Sequence, residues 1–154
     1  MSLSKESYDK MMDWSNKIAA LRVENILDLV NESKVLLSIN FPIIYIEKMN
    51  SLNENIRKLN HLLFHYYFTN EKCRDEIPQL LKYISIYYSL LHSEIVKEFL
   101  KISSNENQLT KKNMYHMIAH LIRDKLKYCI HLFNELKYDM DEMTNKFITS
   151  LINI

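Results

Sequence analysis

The chain has 154 residues, with no glycine, two prolines, 47% apolar and 25% charged residues, and a formal net charge of +1. That length supports one domain around one core, and the near-balanced charge gives no global field that favours polyanions over other partners. Average usage would supply about eleven glycines; without any, tight hairpin turns, glycine C-caps and phosphate-cradling loops are largely closed to the chain, which excludes P-loop and dinucleotide-binding sites.

The first helix is predicted over about 4–33. Ser4 offers a capping oxygen at its start, and Tyr8, Met11, Ile18, Ile26 and Leu29 recur at helical spacing. Arg22 falls inside that stripe, an unfavourable place for an unpaired charge. The first fourteen residues are charged and amphipathic, unlike the continuous apolar segment of a secretory signal.

The second helix is predicted over about 42–70, opened by Asn40-Phe41-Pro42, because proline is tolerated in a first helical turn. Met49, Leu52, Ile56, Leu59, Leu63, Tyr66 and Tyr67 mark its core face. His61 and His65 fall on the opposite side with Glu54 and Lys58, whereas Leu62 and Phe64 are apolar residues off the main stripe.

Asp75-Glu76-Ile77-Pro78 opens the third helix, over about 77–103. Its segment Tyr83 to Tyr88 is rich in β-formers but lies inside a longer helical pattern without flanking turn residues, and reads as helix. Leu91, Ile95 and Ile102 form the main stripe and place Glu98 within it, so Arg22 and Glu98 are the candidate buried ion pair. A second stripe, Tyr83, Ile86 and Leu90, points away from the main face. His92 lies at the edge of the main apolar face.

The fourth helix, over about 109–153, follows the cap-rich stretch Asn105 to Thr110. From Met114 through Ile118, Ile122, Cys129, Leu136 and Phe147 to Leu151 it holds one apolar face for about ten turns. At 1.5 Å per residue it spans roughly 65 Å, longer than its neighbours, which predicts a bend near Tyr138-Asp139 or an overhanging end. His116 and His120 share its polar side with Arg123 and Lys127, and His131 is polar too.

The expected fold is therefore all-α, an antiparallel bundle of four main helices forming a single domain over 1–154. The two matched i, i+4 pairs, His61 with His65 and His116 with His120, could each present two imidazoles to a transition metal. Both pairs project opposite the apolar faces, however, and no Glu-x-x-His motif accompanies them, so they read as surface histidines and no cofactor is expected. Cys73 and Cys129 have no close motif spacing, and a chain of this size folds without a disulfide; the expected compartment is cytoplasmic, in its own cell or a host's. No HExxH, CxxC or nucleophile elbow is present.

The reading that remains is a non-enzymatic interaction protein, binding a protein partner or a second copy of itself through Leu62, Phe64, Tyr83, Ile86 and Leu90. A metal-binding four-helix bundle is the alternative, and an all-α ribonuclease on Arg57 and His61 ranks last. Phe, Tyr, Met, Ile, Asn and Lys supply 73 residues against 9 from Gly, Ala, Arg and Pro. The first group has AT-rich codons and the second GC-rich ones, which points to an AT-rich genome and suits a virus or mobile element.

Overall fold

A computed structural model describes residues 4–32, 41–69 and 76–152, with side chains described over 4–30, 41–68 and 76–136. Five helices run in chain order: α1 (Lys5–Ala19), α2 (Glu24–Glu32), α3 (Ile43–Thr69), α4 (Glu76–Lys101) and α5 (Glu106–Ile152), with no strand among the described residues. The all-α bundle read from the pattern is the fold, and the bounds of α3, α4 and α5 lie within three residues of those expected.

Local signals explain most of these bounds. Ser4 Oγ accepts the Ser7 N–H at 3.2 Å, satisfying one of the donors that α1 leaves unpaired at its start. Pro42 lies just before α3, and its carbonyl accepts the Tyr45 N–H at 3.1 Å. Pro78 occupies the first turn of α4, where its missing N–H costs nothing. Asn105 precedes α5, its carbonyl accepting from Gln108 at 2.9 Å and its own N–H reaching Ser103 Oγ at 3.3 Å. Asn40, Cys73 and Asp75 lie outside the described residues.

The expected first helix over 4–33 is corrected: α1 ends at Ala19 and α2 begins at Glu24. Nothing local enforces this, for Ala19, Ala20, Leu21 and Arg22 are all good helix formers. The break is instead held by side chains from the other three long helices. Asn53 of α3 accepts the Val23 N–H at 2.9 Å through Oδ1. Tyr88 of α4 donates its hydroxyl to the Leu21 carbonyl. From α5, Lys125 Nζ donates to the Ala20 carbonyl at 2.7 Å and the Tyr128 hydroxyl to the Lys17 carbonyl at 3.2 Å. Ile18 and Ala19 carbonyls are closed by tight turns from the Leu21 and Arg22 N–H groups, at 3.0 and 3.2 Å. A glycine C-cap would have answered these carbonyls locally; this chain answers them from across the bundle.

The four long helices form a ring in which each neighbour runs antiparallel. Lys48 near the start of α3 pairs with Glu94 near the end of α4, at 2.5 Å. Phe99 and His116 meet across the α4–α5 turn with ring centroids 5.5 Å apart, and the Cys129 thiol reaches the Leu81 carbonyl at 3.6 Å further along. Lys17 of α1 binds Glu135 of α5 at 2.8 Å while Ala20 meets Lys125, closing the ring between α1 and α5. α1 and α4 are thus diagonal partners, as are α3 and α5, and α2 rides on α3.

Inside sit Trp14, Ile18 and Leu21 from α1 and its exit, Ile26 from α2, Met49, Leu52, Ile56, Leu59 and Leu63 from α3, Ile84, Tyr88 and Leu91 from α4, and Ile118, Ile122, Cys129 and Leu132 from α5. Three-and-four spacing assigned Ile18, Ile26, the α3 residues, Leu91 and the α5 residues to the core; Trp14, Leu21, Ile84 and Tyr88 were not among them, and Tyr8, placed in the first stripe, is 50% exposed. Burial of such side chains, worth about 1.5–3 kcal/mol each, is the main force holding the helices together. Helix α5 continues through Tyr138-Asp139 and, at 47 residues, extends about 70 Å against about 40 Å for α3 and α4.

Candidate interaction surface

The expected histidine sets do not converge. His61, His65, His116 and His120 are all exposed, the first two on α3 and the others on α5. Those helices are diagonal in the ring and their exposed sides face away from each other, so the pairs cannot share an ion. His120 lies 3.8 Å from Asp124 and His116 stacks near Phe99. Among the described residues no three His, Cys, Asp or Glu side chains gather as a metal site. Arg57, one turn from His61, faces Glu54 at 4.0 Å with both side chains exposed.

In place of the expected Arg22–Glu98 pair, Arg22 pairs with Glu24 and Glu98 with Lys101 at 3.4 Å. The cause is the break after Ala19: once the helix ends, Arg22 no longer keeps the phase of the Ile18 and Ile26 stripe. Glu98 is half-buried beside Tyr45 and Tyr115, whose hydroxyl pKa values it helps to raise, although burial is the larger cause for both.

The lone described thiol is not a reactive group. Cys129 is buried, and desolvation pushes its pKa up to about 12, far from the thiolate that nucleophilic or metal chemistry requires. An open depression on α3 is lined by Asn50, Ser51, Glu54, Asn55 and Lys58, all from one helix, with no second element to grip a ligand.

The remaining feature is the outer face of α4. Its inner face buries Ile77, Leu81, Ile84, Tyr88, Leu91 and Ile95. On the other side, Tyr83, Ile86 and Leu90 are 49%, 50% and 60% exposed. The row does not stop there: Gln79, Tyr83, Ile86, Leu90, Ser93, Lys97 and Leu100 alternate in steps of four and three, and Leu100 is 70% exposed. That is the spacing of a helix-pairing seam. Only its first half stood out in the sequence, because Ser93 and Lys97 interrupt the apolar run before Leu100 resumes it.

The flanks of this seam differ. Towards α3, Tyr87 is half-buried with its ring 6.1 Å from that of Tyr83, and Leu62 and Leu80 pack partly against the core. The Lys48–Glu94 pair closes this side, and Phe64 is half-buried elsewhere on α3. Of the five residues expected to form a partner surface, Tyr83, Ile86 and Leu90 are therefore gathered in one exposed row and Leu62 and Phe64 are not part of it. Towards α5, the charge is positive. Lys82 is exposed on this flank of α4 and Lys97 in the row itself, and Arg123 and Lys127 are exposed one turn apart on α5. His92 lies between, its pKa lowered first by burial and then by the Arg123 charge. None of these four cations has a carboxylate within 4.0 Å among the described residues.

No helix among the described residues is long and apolar enough to cross a membrane. No protein-family model matches the chain, and no curated protein or solved structure is significantly similar to it.

Proposed function

We propose that this protein acts without catalysis of its own, as a helical-bundle interaction protein that docks a macromolecular partner on the outer face of α4. The observation that carries the reading is the Tyr83, Ile86, Leu90 and Leu100 row, four large apolar side chains half or more exposed on a helix whose opposite face is already buried. Single exposed apolar residues are ordinary, but a row at pairing spacing over about five turns is what a helix or groove of a partner can cover.

The test uses Ile86→Asp and Leu90→Asp beside Tyr8→Asp, a control at an exposed aromatic on α1. Light scattering over a concentration series reads self-association, and capture from the native source followed by reciprocal pull-down reads a foreign partner. Loss of one of these in the α4 variants, with the Tyr8→Asp protein unaffected and melting temperatures unchanged, is the expected result. Assembly and capture that survive both α4 substitutions overturn the reading.

A further inference from the structure

We infer that the partner of the α4 face is an acidic amphipathic helix, an inference that rests on the docking role proposed above and names its occupant. The seam from Gln79 to Leu100 alternates four and three residues over about 30 Å, the footprint of about three heptads of a second helix. It is not uniformly apolar. Lys97 stands within the row, and Lys82 flanks it beside Tyr83, both exposed and neither with a carboxylate within 4.0 Å among the described residues. Arg123 and Lys127 extend the same sign along the neighbouring ridge of α5, close enough that Arg123 disfavours protonation of His92. Beside the seam Glu94 is paired with Lys48 and Glu98 with Lys101, and the exposed Glu76 stands at its start, 21 residues before Lys97.

This charge pattern selects among occupants. A second copy paired antiparallel so that Tyr83 meets Leu100 sets Lys97 against Ile86 and leaves an ammonium in the seam without an acceptor. A parallel copy sets Lys97 on Lys97. Covering a charge without a partner costs several kcal/mol, so Lys97 opposes self-pairing in these two registers, the ones that bring the whole apolar row together. A nucleic acid would use the cations but not the aliphatic pair Ile86 and Leu90, which lies in the middle of the row. A helix with leucine or isoleucine opposite Tyr83, Ile86 and Leu90 and with glutamate or aspartate opposite Lys82 and Lys97 satisfies both kinds of group at once.

The experiment measures fluorescence anisotropy of helix-stapled peptides of about three heptads against the whole chain at low and high salt. One peptide carries leucine at a and d, except for a glutamate at the single seam position that meets Lys97, and glutamate at e and g; its counterpart carries lysine at each of those glutamate positions. Phosphatidylserine vesicles and a single-stranded oligonucleotide serve as other anionic probes. The expected result is preference for the glutamate peptide, weakened by salt, lost in Ile86→Asp, and reduced roughly tenfold or more in a Lys82→Glu/Lys97→Glu variant that now prefers the lysine peptide. Equal binding of both peptides that Ile86→Asp abolishes overturns the acidic partner while leaving the docking face standing. Peptide binding indifferent to Ile86→Asp removes both. Binding of vesicles or oligonucleotide without the glutamate peptide, or of no probe, overturns the acidic helix, and the docking role is then decided by the light-scattering and capture experiment alone.

Discussion

The segment between α1 and α2 and the outer face of α4 both depart from the usual arrangement of apolar inside and polar outside, in opposite ways. At the first, the Val23 N–H and Leu21 carbonyl sit in the core and are closed by Asn53 and Tyr88, while Lys125 and Tyr128 close the Ala20 and Lys17 carbonyls nearer the surface. At the second, large apolar side chains lie in water and nothing among the described residues covers them. A polar group buried with its partners stabilises one arrangement of the fold. An apolar row left open contributes nothing to the isolated fold, so its presence asks for a function. Changes at the first should lower the protein's stability and changes at the second should leave it nearly untouched.

Alkali should produce the largest gap. Burial raises the Cys129 pKa from 9.0 to about 12 and the Tyr115 pKa from 10.0 to about 12, and raises that of Tyr88, the α4 member of the polar closure, further still. These groups stay neutral in the fold while the unfolded chain ionises, so their contribution is complete below about pH 9 and is lost as pH rises towards 12. Urea titrations at rising pH should show stability falling by on the order of a few kcal/mol by pH 11. The Cys129→Ala chain should show a shallower decline, and an unchanged slope would reject the thiol's part in it.

Asn53→Leu should come next. It strands the buried Val23 N–H without an acceptor, which costs about 2–3 kcal/mol in denaturant unfolding. Asn60→Leu on the same helix is the contrast, because its buried Oδ1 has no hydrogen-bond partner. That change should fall within about 1 kcal/mol of wild type or stabilise the fold. If the two asparagines respond alike, the break is not held by Asn53.

Tyr88→Phe removes the donor to the Leu21 carbonyl and should cost about 1–2 kcal/mol. Combined with Asn53→Leu it should cost less than the sum of the two, since both hold one short segment. Strict additivity in a double-mutant cycle would separate them into independent contacts. Smallest of all, Ile86→Asp and Leu90→Asp should leave the unfolding midpoint within about 0.5 kcal/mol of wild type while removing partner or peptide binding. A large loss of stability in either would place these side chains in the fold rather than on a surface for a partner.

Much of the architecture was legible because three-and-four spacing is carried by every residue of a long helix. Met49 to Leu63 and Ile118 to Leu136 marked their core faces without ambiguity, and Ser4 and the two prolines marked helix starts. The break after Ala19 carried no such mark. Its residues favour helix, and what ends it are hydrogen bonds from positions about 30 to 110 residues away in the chain. The misplaced Arg22–Glu98 pair follows from that one omission, because a stripe drawn through a helix that has ended assigns its later members to the wrong face. The α4 surface was legible in part: Tyr83, Ile86 and Leu90 stood apart from the main stripe, but the sequence mixed them with Leu62 and Phe64 and missed Leu100.

What the sequence determined by itself was the class of the fold and the inward faces of α3, α4 and α5, together with the closing of glycine-dependent chemistry. These are local properties, set by periodicity, caps and the range of φ angles open to the residues present. Tertiary structure alone decided where the first helix stops and which side of α4 stays open to water. Both depend on what the other helices bring to the spot, hydrogen-bond donors and acceptors in one case and no covering surface in the other, and neither is a property of the segment itself.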